Sequence, residues 1–124
     1  MGRRGGAGRR DRRLSRRIDL LGEDELAEGE MRMVWVDGDP VLVVHVNGSF
    51  HAMQGTCSHE YFELDRGFLT AGTLTCALHL SRFDLEDGEA LDPPAELPLA
   101  IYDVVVAGGR VAIDVPDGPL ELNE

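Results

Sequence analysis

Apolar residues fall in short groups bounded by turn residues, with no long stretch at helical spacing. Met31-Arg32-Met33-Val34-Trp35-Val36, Val41-Leu42-Val43-Val44-His45-Val46 and Ser49-Phe50-His51-Ala52-Met53 follow one another along the chain. Their β-branched and aromatic content between turn signals predicts strands. Asp37-Gly38-Asp39-Pro40 separates the first two groups, and Asn47-Gly48 separates the next two as a tight hairpin that needs positive φ. Strand signals return at Leu99–Val106 and Val111–Val115, joined across Gly108-Gly109. The one helix-like piece, Gly22–Ala27, is too short to hold without packing. The pattern predicts an all-β fold, a small antiparallel sandwich or barrel, with a loop-rich insertion between about Gly55 and Pro94. Trp35, Phe50, Phe68 and Tyr102 are expected to pack it, because large aromatics supply much of a small core.

Length and charge divide this picture into parts. A chain of 124 residues has room for one domain. Residues 1–17 hold eight Arg against one Asp, a net charge of +7, whereas residues 18–124 hold four Arg against 22 acids, a net charge of −18. The first segment is rich in Gly and Arg and poor in apolar residues, so a disordered extension is expected over 1–17, then a folded domain over 18–116 and a tail over 117–124. No apolar h-region follows the paired arginines and no apolar run reaches about 20 residues, so neither export nor a membrane span is expected. An acidic body repels nucleic acid and favours basic protein patches, which makes proteins the expected partners.

The chemistry lies in the insertion. Cys57-Ser58-His59 is followed, after sixteen residues, by Cys76-Ala77-Leu78-His79. Each element offers one sulfur and one nitrogen. Two thiolates and two neutral imidazoles can hold the two irons of a [2Fe–2S] unit, cysteines on one and histidines on the other. The same four groups could hold structural zinc, but zinc sites usually group their ligands as cysteine pairs and histidine pairs, and here sulfur and nitrogen alternate. A cysteine paired with a nearby histidine also argues for ligation over a disulfide, and for a reducing, cytoplasmic setting. His45 and His51, within strand runs, are expected to be ordinary strand histidines. Glu63, Asp65 and Arg66 are expected in a solvated turn ending at a positive-φ Gly67, and Glu86-Asp87-Gly88-Glu89 in an acidic turn.

CSHE, then ELDRG, TLTCALH, SRFDLEDGEAL and a closing VVVAGGRVAI resemble the Rieske ferredoxins over about residues 18–116. The resemblance is to the ferredoxins of bacterial aromatic-ring-hydroxylating dioxygenases, and also, around CALHL, to those of diiron toluene-type monooxygenases. It implies one [2Fe–2S] cluster with Cys57 and Cys76 on the inner iron and His59 and His79 on the outer. It also implies a proline-rich loop, Asp92-Pro93-Pro94-Ala95, covering the cluster. As implied by the family, a monomeric carrier with no small-molecule substrate takes single electrons from an NAD(P)H-dependent reductase to a terminal oxygenase. The competing class is a module in which a cluster or zinc staples the loops or senses redox state.

Departures from high-potential Rieske proteins refine the expectation. No third or fourth loop cysteine is present, and the residue four beyond His79 is Phe83, which cannot donate a hydrogen bond; Ser81 can supply one. Fewer donors to the sulfurs stabilise the reduced state less, so a potential on the order of −150 mV is expected. The docking face is expected around His59 and His79, with Leu78, Leu80 and Phe62 as its apolar part.

Overall fold

The computed structural model describes residues 15–123. Among the described residues, nine strands form two antiparallel sheets. The larger has β1 (Ser15–Gly22), β2 (Met31–Val36), β3 (Asp39–Val46), β4 (Ser49–Gln54), β8 (Ile101–Ala107) and β9 (Arg110–Pro116), in the order β1-β9-β8-β4-β3-β2. The smaller has β5 (Phe68–Thr70), β6 (Thr73–Thr75) and β7 (Arg82–Asp84) in sequence order. Among the described residues no helix is long and apolar enough to cross a membrane.

Tight turns set the registers. Asp37-Gly38, Asn47-Gly48 and Gly108-Gly109 each join paired strands with both central residues at positive φ, as the right-handed twist of a hairpin requires. A fourth such turn, Ala71-Gly72, joins β5 to β6 with φ +46° at Ala71.

Alternation along β3 explains the architecture. Val41 and Val43 point into one core with Ala52, Tyr102, Val111, Ile113 and Val115, where Leu20 and Leu21 of β1 also pack. Leu42 and Val44 point the other way, into a second core with Met53, Leu64, Leu74, Phe83, Leu85, Leu99 and both cysteines. All four β3 residues are fully buried, which is why this strand reads as a continuous apolar run. The large sheet thus curls around the first core and carries the second, with the small sheet, on its outer face.

Several expectations are corrected. The loop-rich insertion also carries the three-stranded sheet, whose strands are three residues each, too short for a clear alternation. Trp35 and Phe68 are half exposed and do not pack the core, whose largest fully buried side chain is Phe83; Tyr102 is buried and Phe50 partly so. The boundary expected at Arg17 falls inside β1, where Arg17 makes a bidentate pair with Asp114 of β9 and Arg16 donates to the Gly118 carbonyl. Residues 1–14 of the expected extension lie outside the described residues. A register shift between Asp19 and Leu21 turns both Leu20 and Leu21 inward and hides β1 from a period-two pattern. The expected tail is docked: Leu120 is buried and the Tyr102 hydroxyl donates to the Glu121 carbonyl at 2.7 Å. Gly67 has φ −86°, not positive; it is glycine because a Cβ there would sit 1.9 Å from the Thr75 carbonyl oxygen.

Ala71 pays for a left-handed conformation that Asn tolerates, and its side chain is exposed. Ala71→Asn is therefore expected to stabilise the fold by about 1 kcal/mol. A urea unfolding midpoint at or below that of the parent would contradict this.

Candidate metal centre

Two hairpin loops carry the four candidate ligands, and the backbone closes them alike. After β4 the chain leaves through Gly55, and Cys57 N donates to the Phe62 carbonyl at 3.0 Å, above a bridge between Thr56 and Glu63. Between β6 and β7, Cys76 N donates to the Ser81 carbonyl at 2.9 Å, with Leu80 N returning to the Cys76 carbonyl at 2.9 Å. Each loop is therefore pinned by its cysteine at the base. The histidine lies beyond, at the tip.

Burial separates the ligand types. Cys57 and Cys76 are unbridged thiols at 5% and 1% exposure, inside the second core. His59 and His79 are exposed, their rings 5.0 Å apart and inclined by 72°. Burial pushes the Cys76 thiol up, the Cys57 sulfur beside it adds to that, and the N–H groups of Leu78 and His79 pull it down. Two thiols facing each other in an apolar pocket are costly as anions unless a cation neutralises them. The donor set of two inward sulfurs and two outward nitrogens fits a two-iron cluster with unlike ends.

The structure sets Cys57 beside Cys76 in the second core and His59 beside His79 at the loop tips, and adds Glu60 to the histidine pair. Its Oε1 lies 3.8 Å from His79 Nδ1, and His59, Glu60 and His79 offer ligating atoms within 4.8 Å of one another. The spacing gave no signal for Glu60, because it depends on how the two loop tips meet. A site built from these three exposed groups alone leaves the paired thiols behind it without a role; the four-ligand set uses them.

The proline loop is fastened to both ligand loops. Ser58 Oγ donates to the Leu97 carbonyl at 2.5 Å, and Ala95 N donates to Ser81 Oγ at 3.3 Å. Arg82 clamps Asp92 through its guanidinium at 2.7 and 3.2 Å and through its backbone N–H at 3.1 Å. Pro94 with Glu96 and Leu97 thereby lines an open groove beside Ser58 and His59. Ser81 is fully buried and, as acceptor to Ala95, keeps its hydroxyl hydrogen for another partner. Phe83 lies wholly within the second core.

Near the histidines in sequence, several large apolar side chains are exposed. Leu78 and Leu80 are exposed as expected, and so is Tyr61, at 73%, which no local pattern singles out. Phe62 is half buried, with the Arg66 guanidinium 5.7 Å from its ring centroid, so Arg66 stacks over it. His45 is a satisfied strand histidine, its Nδ1 2.8 Å from the Leu26 carbonyl and its ring stacked on Phe50. His51 sits in β4 opposite Val44, outside the cluster of candidate ligands. The Glu86–Glu89 segment is a turn held by Asp84 and Asp87 accepting from Glu86 N and Glu89 N.

Residues 17–103 match the family described as the Rieske [2Fe-2S] domain. The chain is 37% identical over 99 residues to the ferredoxin component of biphenyl 2,3-dioxygenase from Rhodococcus jostii (strain RHA1), covering 80% of this chain and 92% of that protein. It is 37% identical over 105 residues to the ferredoxin component of the alkene monooxygenase system from Xanthobacter autotrophicus (strain ATCC BAA-1158 / Py2), covering 84% and 85%. Among solved structures, it superposes with TM-score 0.76 and 26% identity on a chain from a complex of reduced oxygenase and oxidized ferredoxin in carbazole 1,9a-dioxygenase, covering 85% of this chain and 97% of that one.

The Arg82 guanidinium holds the Asp92 carboxyl below the usual carboxylate range. A depressed folded value means that the clamp contributes fully above the unfolded value near 4 and is lost as pH falls through the folded one. In Asp92→Asn, the stability deficit relative to the parent is expected to be present at pH 7 and to shrink below about pH 4. A deficit unchanged between pH 7 and pH 2 would contradict this.

Proposed function

The chain belongs to the Rieske [2Fe–2S] family, and on that premise we propose that it is the ferredoxin of a multicomponent oxygenase, holding one cluster through Cys57, His59, Cys76 and His79. The observation that carries the assignment is the segregation of two buried thiols from two exposed, neighbouring imidazoles at the ends of like-built loops. When bound, such a cluster supplies a one-electron couple and no substrate chemistry. Cys57 and Cys76 anchor its inner end in the second core, where Phe83, Leu42 and Leu74 exclude water. His59 and His79 hold the outer end at the surface.

Exposed imidazoles make this edge the place where a partner's cofactor comes near. Leu78, Leu80 and Tyr61 offer the apolar contact, and the acidic body steers a basic partner toward it. The donor is proposed to be an NAD(P)H-dependent reductase and the acceptor a terminal oxygenase. Relatives that serve a dioxygenase and an alkene monooxygenase support either acceptor type. Unbridged cysteines support a reducing compartment, the cytoplasm. The chain then carries electrons and transforms no substrate itself.

Cys57→Ala and Cys76→Ala are each expected to abolish the visible and electron paramagnetic resonance spectra of the cluster, while Glu60→Gln retains them. A native spectrum in either cysteine variant would overturn the ligand assignment. So would a colourless protein that reconstitutes only with zinc. The potential is expected near −150 mV, at the low end of the Rieske range; a value above zero would contradict the low-potential assignment.

A further inference from the structure

Gln54 is the last residue of β4 and fully buried. Its amide is used to capacity. Nε2 donates to the Thr56 carbonyl at 2.9 Å and to the Asn123 carbonyl at 2.8 Å. Oε1 accepts from Ala100 N at 2.7 Å and from Asn123 N at 2.9 Å. A primary amide has two donor hydrogens and two acceptor lone pairs, so none is left over.

The three segments joined here are far apart in the sequence. Thr56 immediately precedes Cys57, Ala100 follows the proline loop, and Asn123 belongs to the C-terminal segment. Asn123 extends the connection, since its Nδ2 donates to the Pro98 carbonyl at 2.8 Å. On the other side of Cys57, Ser58 Oγ donates to the Leu97 carbonyl at 2.5 Å. The backbone of Cys57 is thus bracketed at residues 56 and 58 by bonds that converge on residues 97–100 and 123.

We propose that Gln54 and Asn123 are positioning residues for the cluster, fixing the Cys57 loop against the proline loop and making the C-terminal segment a working part of the centre. The role rests on Cys57 being a ligand. A buried amide with all four bonds made is rigid and specifies a single arrangement, whereas one deprived of partners is costly, so selection for packing alone would not place it here. Outer groups that orient a ligand loop typically change metal retention by about 10- to 100-fold when removed.

The test uses the holo-protein and three variants. Gln54→Leu keeps the volume and removes the four bonds. Asn123→Ala removes only the link to Pro98. Tyr102→Phe removes a different anchor of the same C-terminal segment, the bond to the Glu121 carbonyl, without touching the Cys57 loop. Bleaching of the visible cluster absorbance in excess EDTA, the line width of the electron paramagnetic resonance signal and the thermal unfolding midpoint are measured for each. Gln54→Leu is expected to bleach at least about 10-fold faster with a broadened signal. Asn123→Ala shifts the same way by less, and Tyr102→Phe lowers only the unfolding midpoint. Bleaching rates that merely track unfolding midpoints across all three variants would overturn the proposal, as would a parental rate and line shape in Gln54→Leu. If Gln54→Leu does not accumulate folded, Asn123→Ala decides, and its bleaching at the parental rate overturns the proposal. Failure of the ligand assignment is distinct: there the parent itself lacks the cluster spectrum, or Cys57→Ala keeps it.

Discussion

One strand with two buried faces organises this protein. Val41 and Val43 of β3 complete the core inside the curled sheet, while Leu42 and Val44 floor a second core against which the ligand loops fold. Because the strand alternates strictly, a slip of one residue would exchange the two sets, and the tight turns at Asp37-Gly38 and Asn47-Gly48 hold the register against it. The thiols inherit their burial from this arrangement. Cys57 and Cys76 are dry because they lie on the second core, and His59 and His79 are wet because each loop closes beneath its histidine.

For the proposed centre, that gradient means unlike ends. Sulfur donors sit where low polarity disfavours free thiolates and so rewards their neutralisation by metal; imidazoles sit where a partner can approach. The polar bonds that hold the geometry are few and specific: the Arg82–Asp92 clamp, Ser58 and Ser81 on the proline loop, and the buried Gln54 amide. They sit where the apolar core alone would leave the loops free to shift, so hydrophobic burial places the loops and these bonds fix their spacing.

Much of this was legible in the sequence because its signals are local. The hairpin pairs Asn47-Gly48 and Gly108-Gly109, the runs that became β2, β3, β4, β8 and β9, and the four candidate ligands all announce themselves within a few residues. What the sequence hid depends on distant contacts. β1 is broken by a register shift and held by pairs such as Arg17–Asp114, so its first residues look like part of an arginine-rich extension. The small sheet is made of three-residue strands, Glu60 reaches His79 only across two loop tips, and the C-terminal segment gains its place from contacts with residues far away in the chain, among them Gln54, Tyr102 and Arg16. Trp35 and Phe68 show the converse: size and aromaticity suggest core positions, but aliphatic residues and Phe83 fill the core and these two rings stay half exposed.

The central claim is that two inward thiols and two outward imidazoles hold one two-iron centre with chemically different ends. Mössbauer spectroscopy of the reduced, iron-57-enriched protein tests it most directly, because it resolves each iron by its ligands. Two sites of equal weight are expected, one ferric with sulfur-rich ligation and one ferrous with mixed nitrogen and sulfur ligation. A single mononuclear iron signal, or two sites with identical sulfur ligation, would contradict the account.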